Sequence, residues 1–141
     1  MHNFLDCCKV VHVADPASLT ADTSWTAVDT KGYAGVAILW TVGASAELSG
    51  SNYIELEVQD GATSSTAACD NADITVYVTG TNTGTAAKID ATTEDSLTVT
   101  TEYIGGLRYV KPVVNVTGTI SSGIVVGCVM ILFNPCIAPA A

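Results

Sequence analysis

The groups that could do chemistry in this chain are few and scattered. Its histidines are His2 and His12, and its five cysteines are Cys7, Cys8, Cys69, Cys128 and Cys136. A thiolate nucleophile needs a base within hydrogen-bond reach. His12 would have to meet one of the cysteines in space, and nothing in the spacing demands it; inside the run Val10 to Val13 it reads as an ordinary strand residue. Zinc on Cys7, Cys8 and His12 is disfavoured because adjacent cysteines rarely reach one tetrahedral ion and no CxxC is present. Asp70, Asn71 and Asp73, with Asp60 upstream, offer oxygen ligands of the kind calcium takes, but without the spacing of a calcium loop. Asx side chains bonding their own turn account for them. Glu55 and Glu57 share one strand face, where a hydrolase could hold an acid and a base. They lack a companion set of polar groups and read as a stripe facing solvent or another subunit. The expectation is no catalytic residue, no metal and no cofactor, so a protein that is not an enzyme.

The elements that must position these residues are strands. Asn52 to Gln59 sets Ile54, Leu56 and Val58 against Glu55, Glu57 and Gln59, the period of two that marks a half-buried strand. Ile74 to Thr79 and Leu97 to Glu102 repeat it. Val36 to Val42 and Ile124 to Phe133 are apolar on both faces, which suits strands covered by a second sheet or by a neighbouring subunit. Val10 to Val13, Ala86 to Ile89 and Arg108 to Val116 complete the set, with Pro112 predicting an edge position or a bulge. Gly, Asn, Asp, Ser and Thr cluster between these runs as turns, and no segment carries a helical stripe. The fold expected is all-β: a single-domain antiparallel β-sandwich or jelly-roll-like barrel of about eight strands over residues 10–133. A flexible arm (1–9) and a tail (134–141) flank it.

Composition narrows the function. The chain has 141 residues, 48% hydrophobic and 13% charged, enough for one buried core. Fourteen acidic against five basic residues give a net charge of -9, which repels phosphate backbones and argues against a nucleic-acid partner. Residues 1–9 lack the basic start and apolar run of a secretory signal. Ile124 to Phe133 falls short of the roughly 20 residues that span a bilayer, so no membrane partner is expected. An odd number of cysteines excludes complete pairing within one chain, and the Asn115-Val116-Thr117 acceptor pattern has no consequence without export. Trp25, Tyr33, Trp40, Tyr53, Tyr77, Tyr103 and Tyr109 could form a sugar-stacking platform, which makes a carbohydrate-binding module the rival reading. Aromatics spread through strands serve more often in cores and interfaces.

Three segments in the C-terminal third carry a resemblance: Tyr103-Ile104-Gly105-Gly106-Leu107-Arg108-Tyr109-Val110-Lys111, then Val116-Thr117-Gly118-Thr119, then Ile131-Leu132-Phe133-Asn134-Pro135. Upstream, Asp29-Thr30-Lys31-Gly32-Tyr33 and Gly50-Ser51-Asn52-Tyr53-Ile54-Glu55-Leu56-Glu57 belong to the same pattern. Over most of residues 28 to 139 the chain resembles the small decoration, or cement, proteins of tailed bacteriophage heads. It departs from them at Gln59-Asp60-Gly61-Ala62-Thr63, where the family has a Ser-Asp-Asp-Gly-like turn, and at Cys7-Cys8.

The resemblance implies a virion protein made in the bacterial cytoplasm. It would bind the major capsid protein on the outer surface of the capsid and self-associate as a homotrimer, with a dimer as the alternative; a tail or baseplate component is the neighbouring possibility. Trp40, Tyr103, Arg108 and Tyr109 are the expected interface residues. Arg108 would pair with an acidic residue of a neighbour, or Gly105-Gly106 would simply turn a hairpin.

Overall fold

Residues 3–65, 70, 71, 74–76 and 84–135 are described by a computed structural model. Among them one short helix, α1 (Phe4–Cys7), precedes strands β1 (Cys8–Leu19), β2 (Thr23–Ser24), β3 (Val28–Asp29), β4 (Tyr33–Val42), β5 (Tyr53–Gly61), β6 (Asp70–Asn71), β7 (Ile74–Val76), β8 (Thr85–Ile89), β9 (Leu97–Tyr103), β10 (Tyr109–Thr117) and β11 (Ile124–Pro135). They form two antiparallel sheets. One has five strands in the order β1-β11-β4-β9-β7; in the other β10 and β5 pair centrally, β2 and β3 flank β10, and β6 and β8 flank β5. From β7 onward successive strands alternate between the sheets, so the chain builds a β-sandwich.

The inner faces make the core. Val36, Ile38, Trp40 and Val42 of β4 and Val126, Cys128, Met130 and Leu132 of β11 oppose Ile54, Leu56 and Val58 of β5 and Val110 and Val114 of β10. Burial on β5 alternates residue by residue, as its sequence predicts. The strand Asn52 to Gln59 thus appears as β5, Leu97 to Glu102 as β9, and the two doubly apolar runs as β4 and β11. The end of the expected Ile74 to Thr79 strand lies outside the described residues.

Four details depart from the sequence reading. The arm expected at residues 1–9 is partly built in: α1 lies against β1 and β11, Cys8 pairs with Phe133 and Lys9 with Leu132. Pro135, assigned to the tail, pairs with Tyr33. Pro112 lies inside a sheet, not at its edge. Its carbonyl accepts a 3.4 Å bond from Trp25 N in the stretch between β2 and β3, so the N–H that proline lacks would face a break in the pairing. Gly105-Gly106 does not turn a hairpin, because β9 and β10 belong to different sheets.

Candidate functional site

The link from β9 to β10 crosses between the sheets as an arch, and the sequence fastens it at both feet. At the first foot Tyr103 is turned into the core, 3% exposed, yet its hydroxyl emerges at the rim. There it donates to Asp60 Oδ2 at 2.6 Å and accepts from Leu107 N at 3.2 Å. Burial, then the bond to Asp60, pushes the phenol well above its ordinary range. Gly105 lies against the Tyr103 ring so closely that a Cβ there would overlap the hydroxyl, a close approach that only glycine allows.

At the second foot Arg108 makes a bidentate pair with Asp29, Nε to Oδ1 at 2.8 Å and Nη2 to Oδ2 at 2.6 Å, across 79 residues of chain. The guanidinium bond first, and then Lys31 N, hold the Asp29 carboxyl down at about 2. The Arg108 carbonyl is taken twice by Thr30, from its N at 2.9 Å and its Oγ1 at 2.8 Å. Tyr33 N closes a turn onto Thr30 O, with Gly32 at φ +91 supplying the left-handed position. Between the two feet Ile104 and Leu107 stand 68% and 41% exposed. The result is an exposed apolar pair on a braced loop, which can bind without a large ordering cost.

The expected interface residues therefore divide. Trp40 is fully buried and Tyr103 nearly so, and both belong to the core; a strand apolar on both faces does not reveal which side its tryptophan takes. Arg108 is at the surface, but its acidic partner is Asp29 of the same chain. Tyr109 is half-buried with the Arg108 guanidinium 5.1 Å from its ring centroid. The exposed apolar members of the arch are Ile104 and Leu107, which sit inside the segment that carries the resemblance.

The other chemistry-bearing groups stay apart. His12 faces outward and pairs with Asp15 at 3.2 Å, whereas Cys128 is buried in the core and desolvation raises its thiol to about 12. Cys8 sits four residues from His12 along a strand, about 13 Å away. Glu55 and Glu57 project from the outer face of the six-stranded sheet, opposite Lys88 and Thr85. Lys88 covers the Tyr53 ring at 4.1 Å and pairs with Asp90 at 2.8 Å. Asp60 is engaged by Tyr103; Asp73, Cys69, Cys136, His2 and Tyr77 lie outside the described residues. Among the described residues no three metal-ligating side chains come together.

The two outer faces differ in kind. On the six-stranded sheet β5 presents Tyr53, Glu55, Glu57 and Gln59, and a polar hollow of about 240 Å³ lies between Gln59, Lys111 and Ser24. On the five-stranded sheet the cross-strand rows read Cys8–Phe133–Gly35, Val10–Ile131–Ala37 and His12–Val129–Leu39, followed by Gly127–Thr41. The Phe133 ring lies across Gly35, where a Cβ would come within 2.5 Å of Cζ. The outward positions of β11 are thus mostly apolar, while Thr41 of β4 and Thr98, Thr100 and Glu102 of β9 bring polar groups to the same face, and Pro16 lies across Gly127.

No protein-family model matches the chain, and no curated protein matches it. Among solved structures, the SPBc2 prophage-derived protein YomS aligns with a TM-score of 0.54 at 14% identity, over 90% of this chain and 93% of its own. The two therefore share a fold. The CBM22-1–GH10 modules of Clostridium thermocellum endo-1,4-beta-D-xylanase 10B, crystallised with xylohexaose, align at 0.44 and 10% identity over 92% of this chain and 30% of theirs. The xylan-binding module CBM15 aligns at 0.39 and 14% identity over 95% of each chain. These last two likenesses are too weak to bear on function.

Proposed function

We propose that the protein is a structural component of a tailed-phage particle, a decoration protein on the outer surface of the head. It ties neighbouring major capsid protein subunits together and carries out no catalysis of its own. The observation that carries this reading is the braced arch. Two segments of the resemblance, Asp29 to Tyr33 and Tyr103 to Lys111, join through Arg108, Asp29 and Thr30 into one mount for Ile104 and Leu107. Apolar anchors of this kind dominate binding when they enter a pocket already held in shape. A fold shared with a prophage-derived protein agrees with a phage origin. The net charge of -9 also suits an outer surface better than a wall facing packaged DNA, where like charges would oppose filling.

The test is reconstitution. Purified protein mixed with undecorated heads should bind at a fixed stoichiometry, appear as external density by cryo-electron microscopy, and raise the temperature at which heads release DNA. Ile104→Ser with Leu107→Ser should lower occupancy at least about tenfold while the melting temperature of the free protein holds, since both side chains are exposed. Density on the tail, or glycan affinity with no head binding, would refute the reading.

A further inference from the structure

We infer that the hollow on the outer face of the six-stranded sheet is a binding site for one neutral sugar residue of a glycan. It lies where β2, β10 and β5 run side by side, lined by Asp22, Thr23, Ser24, Gln59, Lys111 and Val113. Ser24 pairs with Val113, and Lys111 with Gln59, so these four side chains leave the same face of the sheet. Although that face is the outer one, Lys111 is 4% and Val113 7% exposed, and Gln59 is half-buried. The centre of the face is therefore recessed.

The chemistry of the lining selects a sugar. A hydroxyl both donates and accepts, so a site for several hydroxyls must mix donors with acceptors over a short distance. The Gln59 amide and the Ser24 hydroxyl do both. Asp22 takes Val116 N at 2.7 Å through Oδ1, which fixes the carboxylate and leaves Oδ2 as an acceptor. The Lys111 ammonium carries three N–H donors and can serve a ligand beside the partner it already has. Val113, among these groups, offers an apolar floor for the C–H face of a ring.

Charge and size set the nearest competitors aside. An anion would meet one ammonium against two carboxylates, Asp22 in the lining and Glu57 opposite Val113 on the next strand, so the local balance is negative. A divalent cation needs several oxygen ligands, and Lys111 would repel it. The space, about 240 Å³, falls below the roughly 300–1,000 Å³ of pockets that enclose drug-sized ligands. It suits a single ring, with the rest of the glycan running over the sheet.

Tyr109 extends the site. It lies two residues from Lys111 on the same face of β10, about 7 Å away, and it pairs with Gly61, which has no side chain to cover its ring. Its apolar body and polar tip suit the next sugar of the chain. This function uses a different surface from the arch and stands whether or not the protein binds heads. On a particle carrying many copies, individually weak sites would act together.

The experiment is an NMR titration of the full chain with the methyl glycosides of glucose, galactose and N-acetylglucosamine and with their linear oligosaccharides, set beside glucuronate and inorganic phosphate. At least one neutral glycoside should bind with a dissociation constant in the millimolar range and shift the amides of Ser24, Gln59, Lys111 and Val113. Its oligosaccharide should bind about tenfold more tightly, with Tyr109 joining the shifted set. Gln59→Ala and Ser24→Ala should each weaken binding about three- to tenfold. Their melting temperatures should hold, and Thr98→Ala on the other sheet should change nothing. No shift with any neutral glycoside, shifts centred elsewhere, tighter binding of glucuronate or phosphate, or an affinity unmoved by both substitutions would overturn the proposal.

Discussion

Replacing Tyr103 with phenylalanine removes one oxygen and leaves the core ring in place, so it isolates the bracing of the arch. The hydroxyl makes two bonds, one to the Asp60 carboxylate at 2.6 Å and one from Leu107 N at 3.2 Å. A hydrogen bond to a charged group contributes about 1.5–3 kcal/mol and a neutral one about 0.5–1.5 kcal/mol. Water can reach Leu107 N once the hydroxyl is gone, so the loss should lie near 2–3 kcal/mol rather than at the sum of the upper limits. With an unfolding entropy of about 2.1 cal/mol/K per residue, a chain of this size should melt about 7–10 °C lower. Calorimetry reads that value, and hydrogen exchange locates it: amides 104–108 should lose protection more than those of β4 or β11. Binding to heads should weaken as well, because Ile104 and Leu107 would have to be ordered on docking. A variant that melts within a degree of its parent, or that loses protection evenly across both sheets, would refute the bracing argument.

Two further outcomes follow from ionisation and burial. Asp29 has a folded value depressed to about 2 from the usual 3.8, so its contribution is complete above about pH 4 and is lost as the pH falls through 2. A carboxyl NMR titration should place its midpoint near 2 and show Thr30 and Lys31 amides shifting with it, and a midpoint near 4 would mean that the Arg108 clasp does not form in solution. Cys128, buried and raised to about 12, should resist alkylation at pH 8 until the protein unfolds, while Cys7 and Cys8 are modified in the folded state; mass spectrometry after brief labelling distinguishes them.

Much of the framework is legible in the residues. Alternation in Asn52 to Gln59 and Leu97 to Glu102 specifies half-buried strands, and β8 and β10 appear close to where short apolar runs place them. The extent of β1 is not legible. Register shifts between His12 and Ala14 and between Ala14 and Ala17, with Pro16 in the same stretch, interrupt the period of two, and only pairing with β11 keeps the segment extended. The two-residue strands β2, β3 and β6 are too short for any periodicity. At the site, Trp40 and Tyr103 look like contact residues because an aromatic side chain suits a core and an interface equally. The arch was legible as a segment but not as a geometry. The bond from Arg108 to Asp29 spans 79 residues, and local spacing contains no record of it. Gly118 is a similar case: its left-handed turn fits against Asn52, whose side chain accepts Thr119 N at 3.1 Å, so two more segments of the resemblance meet in space.

The position of β11 has a consequence for how the protein is made. It lies between β1 and β4, pairing Leu19 with Ile124 on one side and Val42 with Val126 on the other, so the strand translated last among those described takes an interior place in its sheet. A nascent chain ending before residue 124 would leave β1 and β4 without the partner that joins them, and the core without Val126, Cys128, Met130 and Leu132. Closing contacts of such long sequence separation makes folding slow and exposes the intermediate to aggregation. On the ribosome this sandwich therefore has to wait for its final strand, and a premature stop within β11 should yield insoluble product instead of a weakened fold.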